Sequence, residues 1–263
     1  MDFMTIFGLL MGGGAIYYVL WSGHALNMIL NPEAAILVFG GTIGCALITY
    51  PWKIVRVVPN GVKMMIFPPK RETPDVAIKI VVDLAEKAKR GGIESLQGEL
   101  ALSPIPFLRD SMQMVIDGLE PDMIHEKLEK ELAIVRRRHY QVASIFRSMG
   151  GYAPIFGLLG TLIGVVQVLR NLTDAQSMGA SMSIAVTATF YGIFGANFMF
   201  LPIAGKLTIY SEDELILKEL IARGVLSIQK GDVPLIVERK LEAFLAYKLR
   251  TVAVKLDAVK AKK

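Results

Sequence analysis

The chain has 263 residues, 53% of them hydrophobic, and a mean hydropathy of +0.46. That balance excludes an ordinary water-soluble globule, and with only 20% charged residues it excludes disorder as well. Cys45 is the single cysteine, so there is no disulfide framework, and His24, His125 and His139 stand apart without the spacing of a transition-metal site. The 29 basic and 24 acidic residues leave a formal charge of +5, and where the basic residues sit decides what that charge serves.

Four stretches are long and apolar enough to cross a bilayer, for which a helix needs about 20 residues. The first, Phe3 to Trp21, carries no charge and ends in Tyr17, Tyr18 and Trp21, aromatics suited to the headgroup layer. It lacks the basic start and clear small-residue cleavage site of a signal peptide, and so reads as a permanent span. The second runs from Ala34 to Trp52, the third from Gly151 to Leu169 and the fourth from Ser181 to Gly205. Short links, Ser22 to Glu33 and Arg170 to Ala180, pair the spans as two hairpins. Of the basic residues, 16 lie in 53–148 and 12 in 206–263, and Arg170 is the only other. Basic residues stay on the cytoplasmic side, so both termini and the central loop are expected there. The 13 acidic residues of 53–148 and the 8 of the tail are mixed among the basic ones, which leaves no phosphate-binding face and argues against nucleic acid.

Between the hairpins, Thr73-Pro74-Asp75 reads as an N-cap, first-turn proline and first-turn acid, opening a helix that should end before Gly91-Gly92. Ser103-Pro104-Ile105-Pro106 breaks the chain again. No glycine or proline then occurs from 122 to 149, while Ile124, Leu128, Leu132, Val135, Val142 and Ile145 recur at helical spacing. Those residues predict a helix about 42 Å long that runs straight into the third span. The fourth span is expected to continue past Pro202 into Tyr210 to Arg223, and a last helix to begin at Pro234. The fold class is an all-α membrane protein, divided as 1–52 (first hairpin), 53–148 (cytoplasmic helical loop), 149–206 (second hairpin) and 207–263 (cytoplasmic tail).

No Ser-His-Asp set, phosphate-binding loop, dinucleotide fingerprint or zinc-protease motif appears, so the chain does not read as an enzyme and implies no cofactor. None of the four spans has an Asp, Glu, Lys, Arg or His in its middle, and a self-sufficient ion pump normally needs such a group. If this protein moves ions, a partner must bring the carboxylate. The spans do hold small residues at GxxxG spacing (Gly8/Gly12, Gly40/Gly44, Gly160/Gly164), which allow close helix packing. Thr161 and Thr189 each lie near mid-span in the second hairpin, and Pro154 and Pro202 free carbonyls in the same helices. Hydroxyl and carbonyl oxygens suit a hard cation, although each threonine alone is equally at home bonding back to its own helix.

Pro154-Ile-Phe-Gly-Leu-Leu-Gly-Thr161-Leu-Ile-Gly, Thr189-Phe-Tyr-Gly and Leu201-Pro202-Ile-Ala-Gly-Lys206 resemble the third and fourth membrane helices of the MotA/PomA family, the A subunits of the bacterial flagellar stator. Phe39-Gly-Gly-Thr42 fits as well, and the resemblance extends over nearly the whole chain. It implies a homopentamer around two copies of a MotB/PomB-type B subunit, whose single span carries the ion-accepting aspartate and whose periplasmic part grips peptidoglycan. It also implies that Pro154 and Pro202 couple ion passage to movement and that the Gly157 carbonyl faces the ion path. Thr161 and Thr189 match hydroxyls of the sodium-driven branch, so sodium is favoured over protons. Any metal ion held by Thr161, Thr189 and the partner's aspartate would be that sodium in transit.

Lys89-Arg90-Gly91-Gly92 resembles the basic pair that meets the rotor protein FliG. The glutamate usual seven residues after Arg90 is here Gln97, flanked by Glu94 and Glu99, which with Lys89 and Arg90 make up the rotor interface that the resemblance implies. The resemblance places the chain in the bacterial inner membrane, in contact with lipid. An ExbB/TolQ-type energy transducer is the nearest alternative, though those usually have three spans, and a solute carrier or a membrane scaffold is a more distant one.

Overall fold

The structure, a computed structural model, describes residues 3–67, 72–100, 103–170 and 172–245. Every regular element among them is helical. The charge-free N-terminal run forms one helix, Phe3–Ser22, and the second apolar run is helical from Pro32 to Thr49. Asn31 opens the latter by accepting a hydrogen bond from the Ala34 N–H (3.1 Å), and Pro32 follows in the first turn. The absence of helix breakers after Pro121 has its expected result in a single 50-residue helix, Pro121–Arg170. The fourth apolar run is helical from Ala175 to Gln229, well into the charged segment, and a short helix begins at Pro234 as predicted. All four runs are long and apolar enough to cross a membrane. The basic tail beyond Leu245 lies outside the described residues.

Two features depart from the regular helices the sequence suggests. The second and fourth runs each contain a π-helical turn, Ile36–Gly40 and Gly195–Phe200. The second turn ends where Leu201 donates its N–H to the Ala196 carbonyl, immediately before Pro202, whose ring nitrogen has no proton to give. The two wide turns touch: a Cβ on Gly195 would lie 3.1 Å from the Phe39 ring.

The chain packs as two compact units, residues 1–69 with 138–209 and residues 70–137 with 210–263. The second unit has one core of large aliphatic side chains, with Leu84, Leu108, Ile124, Leu128, Leu220 and Ile221 buried together. The helix Pro74–Gly91 enters it on Ala77, Ile78, Val81, Leu84 and Ala85, one face at helical spacing. Thr73 opens that helix differently from the predicted cap: its hydroxyl bonds to the Asp75 carboxylate, holding that group below the usual carboxylate range, and accepts no backbone N–H through its side chain. Gly92, with φ of +80°, ends it one residue later than expected. The first unit has two smaller clusters, built on Ala143, Phe146, Ala153, Ala196, Ala204 and Leu207, and on Ala34, Val38 and Ala188.

Candidate functional site

The third and fourth spans meet along small residues on both helices. A Cβ on Gly160 would stand 2.3 Å from the Ala188 Cβ, and one on Gly164 would stand 2.6 Å from the Ala185 Cβ and 2.8 Å from the Ser181 carbonyl oxygen. Gly157 and Gly192 face each other still more closely, since a Cβ on Gly192 would lie 3.0 Å from the Gly157 Cα and 2.7 Å from the Ala153 oxygen. In lipid, where apolar side chains gain nothing by hiding from a solvent as apolar as themselves, this close backbone approach is what holds helices together. Of the three GxxxG pairs, only Gly160/Gly164 works in this way. Gly12 seats the Phe198 ring, while Gly8, Gly40 and Gly44 have no neighbour within 4 Å of a built Cβ, and it is Gly41 that seats Phe156.

That approach brings Thr161 and Thr189 together, each half-buried. Their hydroxyls hydrogen-bond to one another. The Thr161 Oγ1 also lies 3.2 Å from the Gly157 oxygen and 3.3 Å from the Ala185 oxygen, and the Thr189 Oγ1 is 3.3 Å from the same Ala185 oxygen. Four oxygens from two helices therefore converge with no charge among them. Each hydroxyl is also within reach of the carbonyl four residues back on its own helix, so the cation-ligand and helix-packing arrangements use the same atoms. Thr161 and Thr189 line a groove of about 580 Å³ whose other walls are Ile16 of the first span and Phe190, Phe194 and Phe198 of the fourth. These three rings stack in succession, with centroids 5.8 and 5.1 Å apart.

Pro154 and Pro202 stand away from this cluster. The carbonyl that loses its helix donor at Pro154 is that of Gly150, about 16 Å along the helix from Thr161. The oxygens around the threonines are instead those of Gly157 and Ala185, and the Gly157 carbonyl is engaged by the Thr161 hydroxyl. Pro154 packs where the helices are tightest, its Cα 3.2 Å from a Cβ built on Gly192, whereas Pro202 is exposed just past the π turn.

In the other unit, Lys89 and Arg90 are exposed in the last turn of Pro74–Gly91, where cations complement the helix C-terminus. Arg90 reaches Glu86 at 3.3 Å and remains 82% exposed. Glu94 and Gln97 are exposed on the following turns. Glu99 is bound to Lys87 at 2.5 Å, which leaves Glu94 as the acid next to the basic pair without an ion pair of its own among the described residues.

Three contributors were not singled out from sequence. The Ala185 carbonyl is four residues before Thr189, where the back-bonding rule points, but its sharing with Thr161 depends on helix register. Gly192 sits opposite Gly157, a pairing no spacing within one helix reveals. The Tyr191 hydroxyl donates to the Ile29 carbonyl and accepts from the Asn31 N–H (3.4 Å), fixing the link between the first two spans to the fourth.

Residues 102–220 match the MotA/TolQ/ExbB proton channel family. The chain is 43% identical over 174 residues to Motility protein A of Borreliella burgdorferi, covering 66% of this chain and 67% of that one. It is 30% identical over 246 residues to Chemotaxis protein PomA of Vibrio alginolyticus, covering 93% and 96% respectively. Its fold matches a chain in the structure of C. jejuni MotAB with a TM-score of 0.86 at 27% identity, over 94% of this chain and 97% of that chain. With 30% identity to PomA over 93% of the chain and the matching fold, the chain belongs to the MotA/PomA family of flagellar stator A subunits, which are motor components and not enzymes.

Proposed function

We propose that this chain, in the bacterial inner membrane with both termini cytoplasmic, conducts sodium together with a B subunit and converts the flow into torque on the flagellar rotor. The observation that carries the reading is the meeting of Thr161 and Thr189 with the Gly157 and Ala185 carbonyls in spans that have no Asp, Glu, Lys, Arg or His of their own. A sodium ion leaving water needs oxygens to replace its hydration shell, and it needs a compensating charge. Rotation of the two hydroxyls would turn their lone pairs to the ion, and a partner aspartate would supply the charge. The C. jejuni and Bacillus subtilis relatives of known structure are MotAB complexes, which supports such a partner. Five copies of this chain around two B subunits would give one oxygen cluster per copy. Pro154 and Pro202 then couple the site to movement, and Lys89, Arg90 and Glu94 meet FliG. Full-length similarity to motility proteins favours a rotor over the outer-membrane partner of an ExbB/TolQ-type transducer.

The test is the swimming speed of a stator-null strain complemented with this chain and its B subunit, as sodium is replaced by potassium at fixed pH. Speed falling with sodium supports the reading. Speed that ignores sodium but collapses when the proton gradient is dissipated overturns the sodium assignment.

A further inference from the structure

No aspartate or glutamate occurs between Glu33 and Glu72, although five basic residues follow the end of the second span at Thr49. Three of them, Lys53, Arg56 and Lys63, belong to two short helices or their ends, Trp52–Val55 with its C-cap and Val58–Ile66. All three are exposed, and none forms an ion pair among the described residues. Two large aromatics share the segment's outer surface, Trp52 at 72% and Phe67 at 55% exposure.

The opposite face fixes the segment's depth. Thr49 and Tyr50 bond through their hydroxyls to Tyr152 (3.1 Å) and Ser148 (2.8 Å). Gly61 is buried, and a Cβ there would lie 3.0 Å from Val142 and 3.5 Å from Leu207. Ser148 and Val142 are six residues apart on one helix, so the chain descends only about 9 Å between Tyr50 and Gly61. The headgroup layer beyond the hydrocarbon is about 5 to 7 Å thick on each side. With the hydrocarbon edge taken at Thr49, where the helix of the second span ends, Trp52, Lys53 and Arg56 fall in that layer and Lys63 within a side-chain length of it.

We infer that residues 52–67 form a binding surface for anionic phospholipid headgroups of the leaflet on this side, with Lys53, Arg56 and Lys63 taking the phosphates and Trp52, next to the end of the span, entering the acyl boundary. A basic residue beside an anionic surface contributes roughly a fivefold local enrichment, so three acting together gather such lipid well above its bulk fraction. A segment packed by Gly61 on the helix that continues into the third span is held there in part by the composition of the leaflet.

Trp52 is itself the reporter, because Trp21 is the only other tryptophan. The full-length Trp21→Phe protein is placed in phosphatidylcholine nanodiscs with a small fraction of brominated phosphatidylglycerol or, separately, the same fraction of brominated phosphatidylcholine. Quenching of Trp52 is expected to be at least about twofold greater with the anionic lipid, and the excess should fade near 1 M salt, where the screening length is about 3 Å. Lys53→Gln/Arg56→Gln/Lys63→Gln should abolish the excess, whereas Lys53→Arg/Arg56→Lys/Lys63→Arg should keep it, separating charge from fold. Equal quenching by the two lipids in the parent protein would overturn the inference and leave the stripe for an acidic protein surface. So would an excess that survives loss of the three charges.

Discussion

Of the twelve largest fully buried side chains among the described residues, all but Val38 belong to residues 70–137 with 210–263. The membrane-spanning unit buries alanine and glycine instead, as at Ala153, Ala185, Ala188 and Ala196, and turns its leucines and isoleucines outward, with Ile48 at 87% and Leu158 at 60% exposure. The same amino acids follow opposite rules because the two regions have different solvents. Water drives large apolar side chains inward at about 25 cal/mol per Å² of area buried. Lipid offers no such drive, so the spans are held by close backbone contact and by hydroxyls satisfied within the helix pair. One consequence is that the membrane unit can keep an oxygen cluster at a helix contact, where a water-facing unit would place leucine.

The contrast can be broken most severely at Gly192. Gly192→Val would drive side-chain atoms into the Ala153 oxygen and the Gly157 and Pro154 backbone, none of which can move without parting the helices. We expect no properly packed second hairpin, read as loss of folded protein in the membrane fraction; normal yield with normal motility would show that the contact is not needed. A smaller effect sharpens the comparison by making one substitution in both regions. Leu220→Ala, fully buried in the aliphatic core, should cost about 2 to 5 kcal/mol, whereas Leu158→Ala, 60% exposed on the membrane unit of the chain, should cost under about 1 kcal/mol, since it leaves no cavity within the chain. Thermal unfolding of the two variants in the same detergent checks the difference, and equal losses would refute the two-solvent account.

The smallest effect on folding is expected at the exposed charges. Reversing Lys89 and Arg90 to Glu should change stability by no more than about 0.5 kcal/mol, yet abolish torque, because the proposed rotor contact would meet negative charge in place of positive. Neutralising either residue alone should be mild, because exposed charges act through a screened field. Normal swimming by the double reversal would move the rotor contact elsewhere, with Gln97 as the first place to look.

Much of this was legible from residue order alone. The spans follow from charge-free runs, and the 50-residue helix follows from the lack of Gly and Pro between Pro121 and Gly150. Thr161 and Thr189 were legible as a pair because each is the hydroxyl near the middle of its span. The π turns at Ile36–Gly40 and Gly195–Phe200 were not, since one extra residue per turn leaves hydrophobicity unchanged in a run that is apolar on every side. Helix rise alone places the carbonyl freed by Pro154 three turns from Thr161, so the proline marks the helix without supplying oxygen to the cluster. The sharing of the Ala185 carbonyl by both threonines needs the register of one helix against another, and that register is set by Gly157, Gly160 and Gly164 meeting Gly192, Ala188 and Ala185.

The sodium role proposed for that shared cluster is tested most directly by the sodium concentration for half-maximal swimming in the unmodified protein, Thr161→Ala and Thr161→Ser. Alanine removes an oxygen and keeps the site small, whereas serine keeps the oxygen and removes a methyl group. A lost ligand of hydrogen-bond strength in a buried site is worth about 1 to 3 kcal/mol, or roughly 5- to 150-fold in sodium affinity. The half-maximal concentration should therefore rise steeply in Thr161→Ala and little in Thr161→Ser. Equal shifts in the two variants, or swimming by the unmodified protein that does not depend on sodium, would contradict the account and leave both threonines as packing residues.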